Sequence, residues 1–199
     1  QRADSSFKYA GIYKTFIDEI EVGLNFVSSN ETEMIGYEIE SNLYDTGVEV
    51  RSEGAYIKNS MKNTLVTTKD EEFFQAILGA DYGIVYGVTL VSETFYSSKK
   101  FSSQQRVLNI DSEIASNLVG STFYTALSLS YSFNIFLDAS LLYIESFNDN
   151  NSRFISPSLT YTLNDYNTLS IGAMLGDGSA SSEFGSLEDS YYFKWSLSF

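Results

Sequence analysis

Residues 190–199, SYYFKWSLSF, close the sequence and divide cleanly when read at period two. Tyr191, Phe193, Trp195, Leu197 and Phe199 fall on one side; Ser190, Tyr192, Lys194, Ser196 and Ser198 fall on the other. Successive side chains of a β-strand point to opposite faces, so this segment reads as a strand with one apolar face and one nearly all polar face.

The same pattern recurs toward the N-terminus. Leu169, Ile171, Ala173 and Leu175 oppose Ser170, Gly172, Met174 and Gly176, while Leu159, Tyr161 and Leu163 oppose Ser158, Thr160 and Thr162. Asn164-Asp165-Tyr166-Asn167 supplies the turn between them, since Asn and Asp tolerate turn geometry. A second hairpin turns near Phe133-Asn134-Ile135, a third at Tyr82-Gly83, a fourth at Asp45-Thr46-Gly47 and a fifth at Ile17-Asp18-Glu19. The connections between hairpins read as longer and more polar: SSNETE, KNSMKNTLVTTKDE, the stretch from about 97 to 120, NDNNSR and DGSASSEFGSLED. Short turns on one side and long loops on the other are the habit of membrane β-barrels. A soluble sandwich also strings short strands together. The single proline and the Ser/Thr/Gly-rich face instead suit a wet lumen.

The segment 190–199 resembles the terminal strand of Gram-negative outer-membrane β-barrel proteins. The resemblance implies that Tyr191, Phe193, Trp195, Leu197 and Phe199 are read by the barrel-insertion machinery, and that the chain sits among bacterial outer-membrane lipids. Residues 73–199, with ILGADYG, SPSLTYTL and LSIGAML, are similar to the C-terminal half of porin-like outer-membrane proteins. The expected fold is all-β: one antiparallel up-and-down transmembrane β-barrel domain over residues 1–199. The hairpins and the terminal strand make eleven strands, whereas single-chain bacterial barrels have an even number. The preferred expectation is therefore the C-terminal part of a larger barrel. The alternative is a closed twelve-stranded monomer in which FSSQQRVLNID, residues 101–111, supplies the extra strand.

Composition narrows the function. With 26 acidic and 12 basic residues, a formal charge of −14 opposes nucleic-acid binding, which needs clustered Lys and Arg. The absence of His and Cys removes Ser-His-Asp and Cys-His catalysis and the imidazole and thiolate metal ligands. The expectation is a non-enzyme without cofactor. A His-independent outer-membrane lipid enzyme, with Glu38 and Glu40 as acid and base, ranks third. Asp177-Gly178-Ser179 with Glu183, and Asn148-Asp149-Asn150-Asn151, offer oxygen ligands to Ca²⁺ but lack EF-hand spacing, so solvated loops and no metal are expected. The aromatics (15 Tyr, 15 Phe and one Trp) cluster near strand ends, as interfacial girdles would.

If Ile20, Val22, Leu24, Phe26, Ile35, Tyr37, Ile39, Leu43, Val48, Val50 and Tyr56 meet lipid, the opposite face carries the lumen charges. These are Glu21, Glu38, Glu40, Glu49, Arg51, Glu53, Glu93 and Asp138, accompanied by Gln75, Asp81, Lys8, Lys14 and Lys194. Low-dielectric walls focus the field of such an acidic excess and draw cations in. The expected function is a porin-like channel for passive diffusion of small cationic or neutral solutes. The alternative is a non-conducting structural barrel whose lumen charges pair across strands. Nothing in the sequence fixes an oligomeric state.

Overall fold

The computed structural model describes residues 7–65, 67–84, 87–147 and 151–198. Eleven strands form one up-and-down sheet: β1 (Tyr9–Ile17), β2 (Ile20–Ser28), β3 (Thr32–Asn42), β4 (Val48–Lys62), β5 (Thr68–Ile84), β6 (Val88–Ser97), β7 (Phe123–Asn134), β8 (Leu137–Ser146), β9 (Ser152–Asn164), β10 (Asn167–Asp177) and β11 (Ser190–Leu197). Each strand is hydrogen-bonded to the next in the chain, and β1 and β11 are the edges of that order. One short helix, α1 (Ser103–Leu108), and 3-10 turns at Tyr44–Thr46 and Ala115–Asn117 complete the described elements. Two compact units emerge. The first comprises Gln1–Asn42, Val50–Leu78 and Phe95–Thr122; the second comprises Leu43–Glu49, Gly79–Thr94 and Phe123–Phe199.

In the second unit the period-two pattern becomes a continuous apolar face. Ala139 lies opposite Leu159, Leu159 opposite Ile171, and Ile171 opposite Phe193. Trp195 lies opposite Leu169 and donates its indole N–H to Asn167 Oδ1 at 3.0 Å. These large side chains are outside: Ile171 is 51% exposed, Phe193 67% and Trp195 64%. A protein in water buries such residues, whereas a wall in lipid presents them. The other face is hydroxylated, with Ser140 and Ser158 at 2.7 Å and Thr160 and Ser170 at 3.1 Å. Gly172, opposite Tyr192, is required to be small: a Cβ there would fall 2.5 Å from the tyrosine ring.

The first unit repeats the scheme. Val22 faces Ile39, Leu24 faces Tyr37 and Phe26 faces Ile35, all on the apolar face. Glu21 faces Glu40, Gly23 faces Glu38 and Asn25 faces Gly36 on the polar one.

Three expectations are corrected. The third turn is not Tyr82-Gly83, which stay inside β5; that strand runs through Ile84, β6 begins at Val88, and Gly87 before it takes φ 81°. Two supposedly long loops are short. Residues 29–31 suffice between β2 and β3, and most of KNSMKNTLVTTKDE is absorbed by the long strands β4 and β5. Residues 101–111 form no strand. Ser102 caps α1 with a reciprocal box, accepting from Gln105 N while Gln105 accepts from Ser102 N, so the twelve-stranded alternative fails at its extra strand. Tyr191, Phe193, Trp195 and Leu197 line one exposed face of β11, whereas Phe199 and Asn148-Asp149-Asn150 lie outside the described residues.

Candidate functional site

The site begins with apolar residues on what is otherwise the polar face. Ile57, Met61 and Phe73, at the loop end of β4 and β5, leave a greasy patch that the 98–122 connection folds over. Phe101, Ile114 and Leu118 come from that connection, and the Phe73 and Phe101 rings meet edge to face at 5.2 Å. Each such burial stabilises by roughly 1.5–3 kcal/mol relative to exposure.

Polar clips fix the segment in register. Gln75, only 5% exposed, exchanges two amide hydrogen bonds with Asn117: its Nε2 donates to Asn117 O at 2.6 Å, and Asn117 Nδ2 donates to Gln75 Oε1 at 2.9 Å. Asn109 does the same for the β4 terminus, accepting from Lys62 N at 2.7 Å and donating to Lys62 O at 2.9 Å. Buried polar groups cost free energy unless paired, so these amides specify where the segment lies. Lys99 forms an ion pair with Glu71, which also meets Lys69 at 3.0 Å. Glu113 accepts from Ser29 at 2.8 Å and pairs with Lys8; that cation, with the serine hydroxyl, holds its carboxyl below the usual carboxylate range.

Below this cover, Lys14 bridges the Glu21 carboxylate, at 3.1 Å, and that of Glu38. Glu40 is exposed opposite Glu21, and Glu53 takes no hydrogen bond or ion pair among the described residues. Arg51 is half-buried and partnered. The first unit therefore gathers Glu21, Glu38, Glu40, Arg51 and Glu53 on one face. The second unit holds Glu49 and Glu93, both half-buried and partnered, and Asp138, which accepts from Ser132 at 2.5 Å.

In the second unit the connection 178–189 folds back similarly. Phe184 packs on Tyr124 and Phe154, with ring centroids at 6.5 and 6.0 Å, and its N–H donates to Ser152 Oγ at 3.3 Å. Tyr124 donates to Glu183, so that carboxylate is engaged, and among the described residues no acidic group is arranged to hold a metal ion.

Gln75 was legible only as a lumen residue, and Asn109, Asn117, Glu71 and Glu113 were not singled out at all. A signal existed: Ile57, Met61 and Phe73 break the polar side of the alternation, and Ser102-Ser103-Gln104-Gln105 has the capping-box spacing.

The combination of an exposed apolar face, a hydroxyl- and carboxylate-bearing face and folded-back connections is the fold of outer-membrane β-barrel proteins. Among solved structures, the chain is similar to a loop L8 deletion mutant of OmpT, an outer membrane protein of Vibrio cholerae, at 13% identity and a TM-score of 0.52 over 90% of this chain and 59% of that one. In-vitro folded OmpT of Vibrio cholerae matches at 12% identity and a TM-score of 0.48, over 95% of this chain and 59% of that one. The chain thus spans 59% of the length of these neighbours. No family model and no curated protein matches the sequence.

Proposed function

We propose that the chain forms part of the wall of a bacterial outer-membrane channel that passes small cationic and neutral solutes by diffusion. The observation that carries this reading is the polar face of the first unit. There Lys14 is shared between Glu21 and Glu38, while Glu40 is exposed beside them and Glu53 has no cationic partner among the described residues. Carboxylates on a wet face between low-dielectric walls concentrate cations and exclude anions. The 98–122 segment covers part of that face, so solutes moving along the face would pass it. The enzyme reading receives no support from Glu38 and Glu40: Glu38 is committed to Lys14.

A second reading, a covered barrel that does not conduct, is favoured by the same segment, since its docked core and amide clips make a stable cover. Planar-bilayer recordings separate the two. A complete barrel that includes this chain, in a KCl gradient, is expected to give discrete steps with a reversal potential on the potassium side. Replacing Glu38, Glu40 and Glu53 together by Gln is expected to move that potential toward zero. Silence, or a chloride-side reversal, would defeat the proposal.

A further inference from the structure

Under the docked segment, the polar face of the first unit opens into a cavity of about 210 Å³. At liquid density that volume would hold about seven waters. Ala55, Ile77 and Phe95 form apolar walls, Asn117 contributes from the connection, and Asn25, Glu38 and Glu53 bring the polar atoms. Those polar atoms are lopsided in character. Asn25 Oδ1 is buried and takes no hydrogen bond, Glu53 has no partner among the described residues, and Glu38 has one cation, Lys14, between it and Glu21. Two lining amide donors are already spent, Gln75 Nε2 on Asn117 O and Ser97 Oγ, and Asn117 Nδ2 on Gln75 Oε1. A cavity with acceptors in excess and apolar walls calls for a ligand that supplies N–H donors, positive charge and a short hydrocarbon body. An ammonium group has three donors and no acceptor.

We propose that this cavity is a binding subsite for small primary alkylammonium ions, with the ammonium between Asn25 Oδ1 and Glu53 and the alkyl chain against Ala55, Ile77 and Phe95. As the place where a permeating cation pauses, the subsite rests on the channel reading; as a binding site it does not. It differs from a general cation preference, because the apolar walls disfavour a hydrated potassium ion and the Glu53 carboxylate disfavours a neutral alcohol.

The test is titration calorimetry of the full chain, folded in detergent, with n-butylammonium and, in parallel, n-butanol. Saturable n-butylammonium binding is expected, with n-butanol binding far weaker. Glu53→Gln should weaken n-butylammonium by about tenfold or more, the loss expected for one charge-assisted hydrogen bond. Ala55→Phe should fill the cavity and abolish binding, and if that variant fails to fold, Glu53→Gln still decides. The proposal is overturned if wild type does not bind n-butylammonium, if n-butanol binds as tightly, or if Glu53→Gln leaves the affinity unchanged. Binding without KCl conductance would defeat the channel reading and leave the subsite standing; conductance without binding would do the reverse.

Discussion

Phe101→Ala is expected to release the 98–122 segment from the face it covers. Phe101 is fully buried among Ile57, Met61, Phe73, Ile114 and Leu118, and its ring is the one that meets Phe73 edge to face. Truncating a buried Phe to Ala costs about 3–5 kcal/mol, because the transfer free energy is lost and the cavity does not collapse. At about 1.4 kcal/mol per tenfold, the population of the undocked segment should rise by two decades or more. The amide clips at Gln75 and Asn109 then have to hold a segment without its anchor, and their geometry depends on it. Two readouts follow: trypsin should cleave after Lys100 and Arg106 far faster in the variant, and, on the proposed channel reading, single-channel conductance should rise because the polar face is no longer covered. Val107→Ala, an exposed change on α1, should alter stability by about 0.5 kcal/mol or less and leave both readouts near wild type. Unchanged proteolysis in Phe101→Ala would mean that the segment is held by its polar clips alone.

The second large effect concerns the wall. Ile171 sits between Leu159 and Phe193 on the apolar face, well inside β10. A guanidinium at mid-bilayer on a barrel's lipid face costs about 2–4 kcal/mol, so Ile171→Arg should lower the folding equilibrium in lipid vesicles by roughly one and a half to three decades. Thr160→Arg makes the contrast. Thr160 lies on the hydroxylated face between Asp138 and Ser170, where an arginine finds water and a carboxylate and loses only the 3.1 Å contact with Ser170 Oγ. That variant should fold nearly as well as wild type. Urea titrations of both in the same vesicles check the pair, and equal destabilisation would show that the two faces do not differ in solvent.

The strands were legible because period two leaves few alternatives: a residue such as Ile171 and its neighbours Ser170 and Gly172 must point to opposite faces, and the register of β9, β10 and β11 keeps that division across three strands. Turn position was less legible. Gly83 and Gly87 are equal candidates in sequence, and only pairing between β5 and β6 decides that Gly87 takes the left-handed conformation. The docked segment was missed for a physical reason. Its core unites Phe101, Ile114 and Leu118 with β4 and β5 residues far away in the chain, and each partner alone reads as an exception to a pattern. Alternation fixes that Glu21 and Glu38 share a side; it does not reveal that one lysine, Lys14, serves both.

The most direct measurement exploits the absence of cysteine, which makes every introduced thiol unique. Single cysteines placed at 168 through 171 and at 173 on β10 can be labelled in lipid vesicles with a water-soluble maleimide, or with a fluorophore exposed to lipid-borne quenchers. Strict alternation is expected: positions 169, 171 and 173 quenched from the lipid and resistant to maleimide, and 168 and 170 reactive from water. Uniform behaviour along β10, or the opposite parity, would contradict it.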